Sequence, residues 1–454
     1  MEDTILAIAA GLISPKKDFK IISRRNQYLN YSLLGLATIL SKKYKIIVFQ
    51  GDFIQPSQFV KLLYKNYNLK NLHYPILLSI PSYYALPWCK IVCSILKNEY
   101  NVKIVAGGKW VVGKDANWLK QKIPEIDVVL SGDGDYIIES AIQGNSVTYE
   151  NRPQTIFKEL DYSLLYENIK YQPSIEISRG CGHGCKFCAE ADMPKSEIIH
   201  SQQFYDQIKS IENVYKSRDF NLYLQSSTFS FDNNFVDSLQ CVFAKLGYTI
   251  NWRCTSRIDV VPINKLKYLS KCGLKVLDLG LESASASQLV RMGKTSNPQK
   301  YLSQAEKILY ECNKNNIYVK INILLYSGES FETVNETMKW LEKNKALIKG
   351  ISANSQVVYG YDNTIMNVLK YNGSSFTEHF SLENDGYAYI NLSEEIDYEV
   401  AKNICLEMSR LVMNDIDYFE LKKYGYFPRN YTFEDYKKDI AGLNSSILPF
   451  EKTI

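Results

Sequence analysis

Short, nearly unbroken apolar runs, each followed by a stretch of helical spacing, recur in two series along the chain and leave few architectures open. In the first 150 residues the runs are TILAIAAG (4–11), YKIIVFQGD (44–52), YPILLSIPS (74–82), VKIVAGG (102–108) and IDVVLSGDGD (126–135). Between them lie YSLLGLATILSKK (31–43) and ALPWCKIVCSILKNEY (85–100), apolar at helical intervals. Strands buried on both faces read apolar throughout, and intervening helices cover both sides of a parallel sheet. Residues 1–145 are therefore expected to form a Rossmann-like parallel sheet with ligand loops at the strands' carboxyl ends. A polar stretch carrying Pro153 and running up to Pro173 fits a linker, 146–172.

The second series runs PSIEIS (173–178), NLYLQSSTF (221–229), TINWRCTSR (249–257), LKVLDLGLES (274–283), VKINILLYSG (319–328) and GISANSQVVYG (350–360). NKLKYLSKCG (264–273) ends on a glycine stop, and YLSQAEKILYECNKNN (301–316) aligns Leu302, Ala305, Ile308, Leu309 and Cys312 on one face. About six βα units over 173–362 describe a partial (β/α)6 barrel with its site at the carboxyl ends. The remainder, 363–454, reads as mainly helical and is expected to cap the barrel mouth and help choose the substrate. The fold class is thus α/β, in two sheet domains with a helical cap, as suits 454 residues.

Within SRGCGHGCKFCAEADMP (178–194), Cys181, Cys185 and Cys188 are spaced C-x3-C-x2-C. Structural zinc is tetrahedral and closed, and asks for a fourth ligand at a matched spacing. His183, inside the loop, is badly placed to join that tetrahedron, and no second C-x2-C follows. Three thiolates and an open corner suit a 4Fe–4S cluster whose fourth iron takes an exchangeable ligand; a structural zinc knuckle is the competing reading. Gly180, Gly182 and Gly184 are expected to let the backbone wrap closely round the centre.

With a strand ahead of it and Phe187 before the last cysteine, this loop resembles that of the radical S-adenosylmethionine (SAM) superfamily. NWRCTSRIDVVPINKLKYLSKCGLKVLDLGLESASASQLVRMGK (251–294) and INILLYSGESFETVNETMKWLEKN (321–344) are similar to later barrel units of members whose N-terminal domain binds cobalamin. The usual Pro-Gly-Glu-Thr turn reads Ser327-Gly328-Glu329-Ser330 here. The resemblance implies that SAM chelates the unique iron and is cleaved by one electron to methionine and a 5′-deoxyadenosyl radical, which takes a hydrogen atom from the substrate. A donor such as flavodoxin or ferredoxin would supply the electron. It further implies Arg257 at the SAM carboxylate, Glu282 and Ser283 at its amino group or ribose, Ser355 and Gln356 at the adenine, and Phe187 and Gln225 in the same cofactor site.

Residues 1–145 resemble the cobalamin-binding domain of that subgroup. LLGLATIL (33–40) is similar to its first helix, VAGGKW (105–110) to its Gly-Gly loop, and DVVLSGDGD (127–135) to its Gly-Glu-Gly-Glu turn with aspartates substituted. By this resemblance Gly107, Gly108, Gly132 and Gly134 admit the corrin ring and its tail. The Asp-x-His-x-x-Gly signature is absent, since none of His73, His183, His200 or His379 sits in one. Tyr83 and Tyr84 of SYYALPW (82–88), with Trp88, then stand as candidates for the cobalt's lower face.

The implied function is cobalamin-dependent C-methylation of an unactivated carbon in a peptide or small-molecule natural product, ribosomally made peptides included. The alternative is a peptide epimerase, which returns hydrogen from a thiol: Cys254 and Cys405 are the catalytic candidates, beside Cys312. A non-catalytic iron–sulfur protein is the third class. A net charge of +4 argues against binding driven by nucleic-acid charge. No run approaches the roughly 20 apolar residues of a membrane span, and ten scattered cysteines fit a reducing cytoplasm.

Overall fold

The computed structural model describes residues 3–14, 19–108, 116–132, 134–143, 160–191, 193–360, 369–378 and 385–453. The chain divides into two compact units, one of Met1–Tyr171, Lys209–Lys216 and Ser381–Tyr387, the other of Gln172–Ile208, Ser217–Phe380 and Ala388–Ile454.

In the first unit, β1 (Thr4–Ala9), β2 (Lys45–Gln50), β3 (Ile76–Ser79), β4 (Ile104–Gly107) and β5 (Val128–Leu130) form a sheet in the order β2-β1-β3-β4-β5. Every pairing is parallel. Chain order reverses at β1, so the switch point of this doubly wound sheet falls between the carboxyl ends of β1 and β3. β1 is buried along its whole length, as its apolar run requires. The expected linker is corrected in part: Leu165 forms a parallel bridge with Val48 and Tyr166 N donates to Val48 O, so 160–171 lies against β2. Residues 146–159 lie outside the described residues.

In the second unit, β6 (Ser174–Glu176), β7 (Leu222–Gln225), β8 (Trp252–Arg257), β9 (Leu274–Glu282), β10 (Tyr318–Leu325) and β11 (Gly350–Ser355) follow one another in sheet order, all parallel. This is the expected six-unit partial barrel. The run 350–360 breaks at Gln356, and β12 (Val357–Tyr359) leaves for a three-stranded sheet with β13 (Ser375–Phe376) and β14 (Tyr387–Asn391).

The barrel strands alternate in a way that sorts chemistry. Leu222, Leu224, Trp252, Cys254, Leu277, Leu279, Val319 and Ile321 are buried on the outer face beneath the helices. On the inner face Tyr223, Gln225, Thr255, Lys320, Asn322 and Ser352 are only half-buried. Successive strand residues point to opposite sides, and the polar set faces into the barrel.

The region after 363 does not simply cap the mouth. Gly328 N donates to Leu392 O at 2.7 Å and Ser327 Oγ meets Ser374 Oγ at 2.8 Å, which places 374–392 beside the carboxyl end of β10. The helix Asp415–Lys422 and the turn after it close the opposite, amino end. Lys423 O accepts from Gln172 Nε2 at 3.4 Å and Asn221 Nδ2 at 3.2 Å, ahead of β6 and β7, and Leu421 and Tyr424 pack on Val276 and Tyr318. The floor so formed holds a fully buried ion pair, Arg253 with Asp278. Arg253 lies 5.1 Å from the Tyr223 ring centre and 4.3 Å from that of Tyr426. Burial pushes the Asp278 carboxyl up, but Arg253 and Lys320 outweigh it and hold the group below the usual carboxylate range.

Removing one partner of such a pair leaves an uncompensated buried charge. Asp278→Asn is expected to cost about 3–5 kcal/mol, whereas Glu306→Gln, which breaks the exposed Lys343–Glu306 pair, should cost no more than about 1 kcal/mol; shifts of the urea midpoint measure both.

Candidate active site at the carboxyl ends of the barrel strands

The cysteine loop leaves β6 and is stitched at its base. Cys181 N and Gly182 N donate to Met193 O at 3.2 and 3.1 Å, and Ser196 N donates to Arg179 O at 2.8 Å. Gly180 sits at φ 68°, and a Cβ there would stand 2.0 Å from Pro194 O, so only glycine closes this stitch. Gly184 differs from expectation: its φ is not left-handed and a Cβ would meet open space. On the far side Lys186 N donates to Met292 O at 2.9 Å, tying the loop to the turn after β9.

The three thiols have separate surroundings. Cys181 Sγ lies 3.0 Å from Thr228 Oγ1, Cys185 Sγ accepts from Arg257 Nη1 at 2.9 Å, and Cys188 Sγ accepts from Glu190 N at 3.4 Å. Burial raises the Cys188 thiol, opposed by that backbone N–H. Among the described residues no three His, Cys, Asp or Glu side chains close on a single ion. A 4Fe–4S cluster takes one thiolate on each of three irons and leaves the fourth open, which is what three cysteines in one loop can supply. His183 is lowered by burial and by Arg257, and points to no ligand set.

Arg257 ends β8, and its fork is already engaged. Nε and Nη2 donate to the two oxygens of Asp259 at 2.9 and 2.7 Å, and Nη2 also donates to Lys294 O at 2.7 Å. In this structure the guanidinium braces Cys185, with Asp259 holding it. Glu282 ends β9 at φ 68°, a left-handed conformation that costs a non-glycine residue of order 1 kcal/mol. A register shift against β10 precedes it. Its Oε1 accepts from Lys294 Nζ at 3.1 Å, and the pair occupies space above Gly280, where a Cβ would meet Oε1 at 2.6 Å. Lys294 Nζ also lies 5.8 Å from the Phe187 ring centre, and Phe187 meets Tyr326 edge-on at 6.4 Å.

Ser283 is corrected: at 2% exposure its hydroxyl accepts from Ser285 N at 3.0 Å and meets Thr337 Oγ1 at 3.3 Å, inside a buried turn. Gln356 turns its side-chain carbonyl to Ser327 N at 2.8 Å. Gln225 lines the inner face of β7, with Nε2 3.5 Å from Ser174 Oγ. Ser355 Oγ, Ser178 Oγ and Ser226 Oγ are buried without a protein partner. Such orphaned hydroxyls, gathered at the ends of β11, β6 and β7, fit a polar ligand seated over the barrel mouth.

The thiols expected for an epimerase lie elsewhere. Cys254 is fully buried on the outer face, where burial pushes its thiol well above the ordinary value. Cys405 is buried on the helix Tyr398–Val412, which packs against β11, and Cys312 is buried on the helix Pro298–Lys314.

In the first unit the candidate corrin-facing residues have these surroundings. A Cβ on Gly108 would meet Ile80 O at 2.1 Å, and one on Gly134 would meet Leu36 at 3.0 Å, so these glycines serve packing within the sheet domain. Gly107 has only ordinary contacts, Gly132 adopts φ 108°, and Lys109, Trp110 and Asp133 lie outside the described residues. Tyr83 packs edge-on to Trp118, Tyr84 against Tyr387, and the fully buried Trp88 donates to Ile54 O at 2.8 Å. What the carboxyl edge does present is Gln50 Nε2 and Asp52 Oδ2, both buried and without a protein partner beyond β2. Burial pushes the Asp52 carboxyl up to about 7. His73 precedes β3, at the wrong end of the sheet for a cobalt ligand.

A six-stranded half-barrel whose first strand delivers three thiols to an arginine-braced, hydroxyl-lined mouth has the anatomy of one enzyme class. Residues 175–341 match the family model of the radical SAM superfamily. Most of the chain shares its fold with two solved enzymes of that kind. It is similar to the cobalamin-dependent S-adenosylmethionine radical enzyme OxsB, with a TM-score of 0.64 and 15% identity over 89% of this chain, and it spans 65% of the OxsB chain. It is also similar to the radical S-adenosylmethionine methyltransferase TsrM of Kitasatospora setae, with a TM-score of 0.62 and 12% identity over 84% of this chain and 79% of that one. An uncharacterized methyltransferase of Pyrococcus horikoshii is 21% identical over 74% of this chain and 72% of its own length. At these identities the structural likeness speaks of fold.

Loop closure at Gly180 and open space at Gly184 separate two substitutions. Gly180→Ala is expected to lose most of the iron bound by anaerobically prepared protein, while Gly184→Ala retains it, read as iron and labile sulfide per chain. Glu329, in the turn after β10, is buried and pushed up to about 7 by that burial. A carboxyl raised in the folded state takes up protons on folding, so stability falls as pH rises from about 4.5 to about 7. Glu329→Gln is expected to flatten that fall, measured as urea midpoints across the range.

Proposed function

We propose that the chain is a radical SAM methyltransferase acting on an unactivated carbon of a peptide or small-molecule natural product. Cys181, Cys185 and Cys188 would hold a 4Fe–4S cluster, the barrel mouth would seat SAM, and the carboxyl edge of the first unit would carry cobalamin. When bound, the cluster and SAM supply the radical chemistry and the corrinoid supplies the methyl group. The observation that carries this reading is the arginine-braced three-cysteine loop at the carboxyl end of the first barrel strand.

The chain's own residues do the positioning. Arg257 donates an N–H to Cys185 Sγ, and hydrogen bonds to cluster sulfurs set reduction potential. Asp259 holds the guanidinium in that pose. The Glu282–Lys294 pair offers SAM a carboxylate for its amino group or ribose, aimed by the left-handed backbone at Glu282. Ser178, Ser226 and Ser355 offer hydroxyls to the remaining polar atoms. Gln50 and Asp52 are the polar groups available to a corrinoid amide. A flavodoxin or ferredoxin in the cytoplasm would deliver the electron.

Anaerobic reconstitution followed by SAM and dithionite tests the reading. Release of 5′-deoxyadenosine, its loss in Cys185→Ala, and a corrinoid absorbance band on protein loaded with cobalamin are the expected results. Tightly bound zinc without labile sulfide, or SAM left intact, would overturn it.

A further inference from the structure

Positive charge exceeds negative on the barrel's inner face and rim, and the surplus falls on one residue. Arg179 grips Glu176 through Nε at 2.8 Å and Nη2 at 2.9 Å. Arg253 pairs with Asp278, Lys294 with Glu282 and Arg257 with Asp259. Among the described residues the carboxylate in ion-pair reach of Lys320, on β10, is Asp278 at 3.9 Å, and that group also receives Arg253. Its ammonium donates to Asn322 Oδ1 at 2.9 Å, leaving two N–H bonds without a protein acceptor among the described residues, and its side chain is 17% exposed.

Two further donors adjoin it. Asn322 lies two residues along the same inner face, and its Oδ1 is taken by Lys320, which leaves the amide N–H bonds. Ser352 registers opposite Asn322 on β11, and its oxygen accepts from Asn354 Nδ2 at 3.2 Å, which leaves the O–H to donate. A half-buried ammonium that shares its carboxylate partner with an arginine is only partly compensated, and an ammonium, an amide and a hydroxyl side by side, all donating, match an anionic oxygen group.

We propose that Lys320, Asn322 and Ser352 form an oxyanion subsite that anchors a carboxylate or phosphate group of the substrate inside the barrel. The word substrate here rests on the methyltransferase reading. The register fixes the depth: Lys320 pairs with Asp278, and Asn322 with Gly280, which in turn pairs with Arg257. The anion therefore sits between the rung of Asn322 and Ser352, level with the arginine that touches Cys185, and the rung of Lys320 two residues, about 7 Å of strand, below it. A substrate held this way is extended, with its reacting carbon well removed from its anionic end.

Anaerobic, cluster-loaded protein titrated calorimetrically with inorganic phosphate, hexanoate and hexanamide tests the assignment. The chains compared are wild type, Lys320→Met, Lys320→Arg and, as a control on an outer helix, Lys343→Met. Wild type and the control are expected to bind phosphate or hexanoate at least about tenfold more tightly than the neutral amide, a 1.4 kcal/mol preference. Lys320→Met loses the preference and Lys320→Arg keeps it; phosphate alone or hexanoate alone identifies the group. Equal affinity for hexanoate and hexanamide in wild type, with no phosphate binding, overturns the subsite whether or not any variant folds. So does a preference that survives Lys320→Met, or an anion displaced by SAM, which would give the lysine to the cofactor. An anion preference that holds in protein unable to cleave SAM counts against the methyltransferase and upholds the subsite.

Discussion

A parallel barrel that turns charged side chains inward stands only if those charges find opposites. Arg253 and Asp278 meet that condition at the bottom of the barrel, where the surroundings are dry and Coulomb attraction is strong. Two tyrosine rings enclose the guanidinium, and Gly425 gives it room, since a Cβ there would meet Arg253 Cδ at 2.9 Å. With the floor neutralised, the rung of Asp278 can also carry Lys320 facing the interior. The same logic repeats at the mouth, where Glu282 and Lys294 share the space above Gly280.

Much of this was legible in the chain itself. Near-continuous apolar runs between helical stretches announced two parallel sheets, and the cysteine spacing placed the centre at the end of β6. The polar interior was also written in VKINILL, where lysine and asparagine alternate with valine and isoleucine; attention to the apolar residues passed over it. Parity settled Cys254, but only once the register of β8 was known, because a one-residue shift exchanges inner and outer faces.

Other positions share an ambiguity: the residue type is informative while its neighbour in space is not legible. Gly108 and Gly134 look like openings for a ligand and are contacts with Ile80 and Leu36. Arg257 looks like a free carboxylate clamp, and Asp259, two residues on, already fills it. The destination of the C-terminal segment depended on long-range packing that no local pattern encodes. Lys294 and Asp259, by contrast, lay inside stretches already singled out and lacked only a partner to reveal their place.

The segment that closes the amino end makes the barrel a cul-de-sac. Among the described residues Leu421, Tyr424 and Tyr426 pack across that end beside Arg253, so the strands' carboxyl ends are the side from which a deep guest would enter and leave. A cofactor resting over that side would trap the deeper guest beneath it, which imposes an order of traffic: the deep-seated molecule arrives first and leaves last.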